Sequence, residues 1–156
     1  MTPHICRWRL GYLIDNPLRR WAHNPRRILG AYVHPGMPVL DIGCGTGYYT
    51  RRLAQAVGTN GVVYAVDIQQ EMLDLLATKL AAENVRNVRP VLGTVTDPKL
   101  PPSKLDLVLL VDVYHEFDQP FEMTQAMTRA LKPGGRLVFV EFRGEDPAVP
   151  IKLVHK

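Results

Sequence analysis

VLDIGCGTGYYT, residues 39–50, decides how this chain is read. A β-rich run, PVLDI, leads to an acid, Asp41, and then to the glycines Gly43, Gly45 and Gly47. The following run, YYTRRLAQAVG, places Tyr49, Leu53 and Val57 four residues apart and ends in Gly58, which suits a left-handed position at a helix C-terminus. Strand, glycine turn and helix in that order make a ligand cradle. A phosphate-binding P-loop would need G-x-x-x-x-G-K-[ST], and this turn has neither the lysine nor the spacing. A dinucleotide fold would need G-x-G-x-x-G, with a third glycine for close helix–strand packing; here that position is Tyr48. Asp41 lies two residues before the first glycine, where it would repel a pyrophosphate but attract an ammonium or sulfonium group.

The rest of the chain alternates in the same way. GVVYAVD predicts a second strand ending at Asp67, and IQQEMLDLLATKLAAENV predicts a helix with Ile68, Met72, Leu76 and Leu80 on one stripe. VRPVLG and KLDLVLLVD predict strands three and four, the latter apolar enough for both faces to be covered. Asp118 is expected to cap a helix that has Pro120 in its first turn, with Met123, Met127 and Leu131 inward and KPGG as its stop. RLVFVEF predicts strand five. Such alternation implies an α/β fold with a parallel sheet, which binds ligands outside the carboxyl ends of its strands. Asp41, Asp67, Thr94, Asp112 and Glu141 all fall at or just after those ends. Asp67, at the end of strand two, can accept both hydroxyl hydrogens of a ribose, or can cap the helix that begins near Gln69.

With 156 residues, 46% of them hydrophobic, the chain suits one domain with a real core. Its longest clear apolar run, LVLLV at 107–111, is too short to span a bilayer, and no signal-peptide pattern follows the first basic residues. Two distant cysteines, Cys6 and Cys44, fit a reducing cytoplasm. Residues 1–36 hold six arginines against the single acid Asp15, a net of +5, whereas the remainder holds 13 Lys+Arg and 14 Asp+Glu, a net of −1. The arginines are interleaved with Trp8, Tyr12, Leu13, Ile14, Leu18 and Trp21, a mix that suggests an amphipathic helix. That segment reads either as a solvated arm or as a lid or attachment surface for an anionic or membrane-bound substrate. The balanced charge of the remainder argues against a large nucleic-acid surface.

VLDIGCGTG, VVYAVDIQQEML, KLDLVLLVDVYHEF and LKPGGRLVFVEF resemble, in order, the motifs of class I S-adenosylmethionine-dependent methyltransferases. The small-molecule branch that includes ubiquinone and menaquinone methyltransferases looks nearest, and the resemblance covers roughly Val33 to Phe142. It implies a Rossmann-like, doubly wound, mainly parallel sheet of at least five strands in the order 3-2-1-4-5. The expected organisation is a basic helical segment over 1–36, a cofactor domain over 37–143 and a tail over 144–156. On the resemblance, Asp41, Gly43, Cys44 and Gly45 line the methionine end of S-adenosylmethionine, and Asp67 takes the ribose, with Ile68 and Met72 beside the adenine. Thr94 stands where relatives often carry an acid for the adenine amino group, and Asp112 follows the fourth strand, where backbone groups of relatives usually flank the reacting sulfonium. Tyr114, His115 and Glu116 are the candidates for a general base, if the acceptor must lose a proton; otherwise they shape the pocket or cap the next helix.

Relatives of this family usually finish with another helix and two further strands, whereas this chain stops soon after strand five, at VPIKLVHK. An uncovered fifth strand is a pairing hazard. The expectation is therefore a shortened chain or edge-to-edge homodimerisation, ahead of a stable minimal monomer. The functional expectation is methyl transfer by in-line displacement to a small-molecule acceptor. The alternatives are a non-catalytic cofactor-binding module and an RNA or protein methyltransferase that uses the basic segment. A nicotinamide dehydrogenase stands further off because of Tyr48.

Overall fold

The computed structural model describes residues 25–141; the arginine- and tryptophan-bearing stretch before Pro25, Cys6, and the residues after Glu141 lie outside the described residues. The elements run α1 (Pro25–Gly30), β1 (Pro38–Ile42), α2 (Tyr48–Val57), β2 (Val62–Asp67), α3 (Gln70–Ala82), β3 (Val88–Leu92), β4 (Leu105–Val111), a 3-10 turn (Tyr114–Glu116), α4 (Pro120–Ala130) and β5 (Leu131–Val140). The five strands form one sheet in the order β3-β2-β1-β4-β5, every neighbouring pair parallel, as expected for the doubly wound class.

Residues alternate across the sheet, so each strand feeds two cores. Val39, Val63, Ala65, Leu107 and Leu109 face one side, where Tyr49, Leu53 and Val57 of α2 and Leu73, Leu76 and Leu80 of α3 meet them. Leu40, Ile42, Val66, Val108 and Leu110 face the other side, against Met123, Met127 and Ala130 of α4. The unbroken apolar run of β4 is explained by this arrangement, because both of its faces are covered. Leu29 and Val33 are buried in the first of these cores.

Five local expectations are corrected. β1 continues one residue past Asp41, to Ile42. The helix after β2 begins at Gln70 and ends at Ala82, shorter than its apolar periodicity suggests, because Asp67 binds the backbone ahead of it and the chain leaves the helix before Asn84, whose φ is +55°. Asp118 does not cap α4; Gln119 holds that place with no side-chain bond, and Pro120 opens the helix. KPGG does not stop α4 either. The helix has ended at Ala130, and KPGG lies inside β5 as an irregularity: Leu105 pairs with Leu131 and Leu107 pairs with Arg136. Gly58 does have positive φ, +67°, but its ψ of −173° places it in a region that only glycine tolerates, outside the left-handed helical one.

Leu53 is fully buried between α2 and the sheet. Leu53→Ala should therefore cost about 2–5 kcal/mol, read as a lower urea midpoint at unchanged slope.

Candidate functional site

The strand ends converge on the glycine turn. Cys44 N–H donates to the Val66 carbonyl at 3.0 Å, and Gly45 N–H donates to Asp67 Oδ2 at 2.9 Å, so the turn is tied to β2. Gly47 N–H closes the turn on the Cys44 carbonyl at 3.0 Å, and Lys79 of α3 donates to the Thr46 hydroxyl at 3.0 Å. Two glycines are required by geometry. Gly43 has φ +66°, and a Cβ there would lie 2.3 Å from Val113 Cγ2, inside the loop after β4. Gly47 has φ +86°, and a Cβ there would lie 2.3 Å from Leu76 Cδ1. Gly45 also has positive φ, +52°, but an added Cβ there would meet nothing within 4 Å, so the turn is open at its tip.

Asp67 sits at the centre of this arrangement. It is only 8% exposed, and its other oxygen, Oδ1, accepts Gln69 N–H at 3.0 Å. Burial pushes its carboxyl above the ordinary value, while the amides of Gln69, Gly45 and Ile68 pull it down. The carboxylate thus joins the turn to the start of α3, and with about four lone-pair sites on its two oxygens it retains acceptor capacity for a diol. Ile68 beside it is half-buried, and Met72 is buried at 2% exposure.

Asp41 is 3% exposed, and its Oδ2 accepts the hydroxyl of the fully buried Thr50, in the first turn of α2, at 2.6 Å. Its carboxylate therefore lies beneath the turn. Cys44 is buried; burial first, then the charges of Asp41 and Asp67, push its thiol well above the ordinary value, so it stays protonated at neutral pH. Tyr48 opens α2 and is buried at 3% exposure, edge-on to Tyr49 at 5.1 Å, with the Arg52 guanidinium 3.8 Å from its ring centroid. The position that departs from a dinucleotide fingerprint is thus a packed aromatic anchor.

Thr94 is exposed and turned into its own loop, where its hydroxyl meets the Asp97 carbonyl at 3.3 Å. Asp112 has φ +51°, an unusual value for a residue other than glycine, and its N–H donates to the Val140 carbonyl at 2.9 Å. The Tyr114–Glu116 turn follows directly. Glu141, just past β5, organises it: Oε1 accepts Val113 N–H at 2.9 Å and Tyr114 N–H at 2.6 Å, and Oε2 lies 2.7 Å from His115 Nδ1. Tyr114 packs edge-on against Phe117 at 5.6 Å and Phe139 at 5.1 Å, and Glu116 is half-buried at the end of the turn. Sequence reasoning counts Glu141 among the acids at strand ends but assigns it no role. Its partnership with His115 spans 26 residues and depends on how β4 and β5 are paired. Thr50, Lys79 and Phe139 were likewise not singled out. Among the described residues no group of three or more His, Cys, Asp or Glu side chains could hold a metal, and no helix is long and apolar enough to cross a membrane.

Residues 39–135 match the family described as a methyltransferase domain. The chain is 30% identical over 123 residues to a demethylmenaquinone methyltransferase from Bacillus mycoides (strain KBAB4), covering 79% of this chain and 51% of that protein. It is 33% identical over 125 residues to the ubiquinone/menaquinone biosynthesis C-methyltransferase UbiE of Shewanella sp. (strain W3-18-1), covering 80% and 49%. The chain spans about half the length of these curated relatives. The crystal structure of a SAM-dependent methyltransferase from Aquifex aeolicus superposes with a TM-score of 0.91 at 25% identity, covering 97% of this chain and 81% of that one.

Two outcomes test this description. Thr50→Val keeps the shape but takes a hydroxyl from the buried Asp41 carboxylate, and should cost about 1–3 kcal/mol in urea unfolding. In a Cys6→Ser background, Cys44 should react with Ellman's reagent far more slowly in the folded protein than in guanidinium, because its thiol is buried and protonated.

Proposed function

The chain belongs to the methyltransferase-domain family, and from that premise we propose that it binds S-adenosylmethionine at the glycine turn and transfers its methyl group to a small-molecule acceptor. The observation that carries the reading is Asp67. A carboxylate at the end of β2, anchored through both oxygens to the turn and to the start of α3, faces the tip that Gly45 leaves open. A ribose diol is the ligand group that two carboxylate oxygens accept best, and the half-buried Ile68 beside it offers an apolar surface to an adenine.

The donor set fits this cofactor better than a phosphate-bearing one. Asp41 lies buried under the turn and Asp67 beside it, so the local field favours a cationic ligand. Bound, S-adenosylmethionine supplies an activated methyl carbon on a good leaving group. The work left to the chain is alignment and exclusion of water. Gly43 and Gly45 let the backbone approach the methionine part, Asp112 and Val113 close the turn from the β4 side, and the Tyr114–Glu116 turn stands where an acceptor enters. Thr94 is given no adenine contact in this reading, since its hydroxyl serves its own loop.

The relatives' names point the acceptor toward the quinone precursors of ubiquinone and menaquinone biosynthesis. Tyr114 and Phe139, stacked edge-on and exposed at 37% and 43%, support an aromatic acceptor. In the same reading the basic segment is the substrate-facing lid or a membrane-surface contact. The outer edge of β5, which pairs with no further strand among the described residues, is where a second copy pairs in this reading.

Calorimetry tests the proposal. The protein should bind S-adenosylmethionine and S-adenosylhomocysteine but not NAD, and Asp67→Ala should weaken both at least about tenfold, the loss of one or more charge-assisted hydrogen bonds, with an unchanged circular dichroism spectrum. Equal affinity in the variant would remove Asp67 from the site.

A further inference from the structure

Glu141 makes three contacts, and they separate into two jobs. Through Oε1 it holds Val113 N–H and Tyr114 N–H, fixing the backbone of the turn. Through Oε2 it meets His115 Nδ1 at 2.7 Å, with both side chains mostly buried, at 18% and 21% exposure. An ionised carboxylate only accepts hydrogen bonds, so Nδ1 is the nitrogen that carries the hydrogen. The neutral imidazole then has its lone pair on Nε2, with the ring held in one orientation. This is the arrangement by which an acid prepares a histidine to take a proton.

The surroundings say what the proton comes from. Phe139 lies near the end of β5 and Glu141 just past it, two residues on. The aromatic Tyr114–Phe139 pair and the His115–Glu141 pair are therefore side by side, built from the same two segments. Asp112 opens the turn that carries them and touches the last residue of β5, and Val113 packs over Gly43. The pair thus stands at the mouth of the proposed cofactor turn, beside an aromatic surface.

We propose that Glu141 is a positioning residue that makes His115 the general base for an acceptor of the phenol or hydroquinone class. The inference rests on the methyl-transfer reading above. The hydroxyl proton of the ring passes to His115 Nε2, and the electron pair released reaches the neighbouring ring carbon. That carbon forms the new bond to the methyl carbon as the S–CH3 bond breaks, its pair remaining on the sulfur as a thioether. The hydrogen that the ring carbon carried then moves to the oxygen and restores the aromatic ring. The balance is one methyl gained by the ring and one proton gained by the imidazole, where the Glu141 carboxylate faces the new positive charge.

Glu141→Gln distinguishes this from a structural role. The amide keeps an oxygen for the two backbone N–H groups but presents NH2 to Nδ1, which favours the other tautomer. The ¹⁵N spectrum of His115 in the full chain should show the Nδ1–H form in the wild type and a shift toward Nε2–H in Glu141→Gln. With 1,4-naphthoquinol kept reduced as the probe, Glu141→Gln and His115→Ala should each lose about 10²–10⁴-fold in kcat. KM, S-adenosylmethionine affinity and melting temperature should stay at wild-type values in Glu141→Gln. An unchanged tautomer or an unchanged kcat in Glu141→Gln would overturn the proposal, as would a wild type that binds S-adenosylmethionine and leaves naphthoquinol unmethylated. A wild type that fails to bind S-adenosylmethionine would instead overturn the methyltransferase reading, and this catalytic role with it.

Discussion

The hydrogen bond from Gly45 N–H to Asp67 is the contact on which the site depends. It joins the turn after β1 to the end of β2, and through Gln69 N–H the same carboxylate sets where α3 begins. Backbone must come very close to side chains for this to happen. Gly43 is pressed against Val113, and Gly47 against Leu76, at separations where no other residue type fits without displacement. Leaving Asp67 mostly out of water is costly for a carboxylate, and its raised proton affinity records that cost. The amides directed at it offset part of the penalty, and a ligand diol would offset more.

The parallel sheet makes this concentration of polar groups unavoidable. All five strands point the same way, so every strand's carboxyl end opens on one edge, and the loops there share a small volume. Two apolar layers hold the strands rigidly beneath it. Leu40, Leu110 and Met127 on one side and Val39, Leu53 and Leu76 on the other are essentially inaccessible to solvent. The site is therefore a set of loops on a stiff support, the arrangement in which small positional errors are least tolerated.

Charge is distributed unevenly along that edge. Asp41 and Asp67 lie under and beside the glycine turn, and both raise the proton affinity of Cys44. The β4–β5 end differs in kind: there Glu141 is matched with backbone donors and His115, next to aromatic rings. One end of the edge is thus anionic, and the other sets an acid and an imidazole beside aromatic rings.

What the sequence by itself determined follows from short-range rules. Alternation of β-rich and helical runs implied the parallel sheet, and four ordered motifs implied its strand order, as found. The spacing of Gly43, Gly45 and Gly47, with Tyr48 next, excluded a P-loop and argued against a dinucleotide turn, since those patterns are fixed by local backbone geometry. The helix ends were less legible. Asp118 and KPGG carry strong local signals for a cap and a stop, yet α4 is bounded by Gln119 and Ala130, because strand pairing at Leu131 takes the chain first. Only the tertiary structure decided that Asp41 faces Thr50 beneath the turn, and that Thr94 serves its own loop. It alone joined His115 to Glu141. Those two residues are brought within hydrogen-bonding distance by the register of β4 on β5, and the pairing of distant strands leaves no mark at either residue's own position.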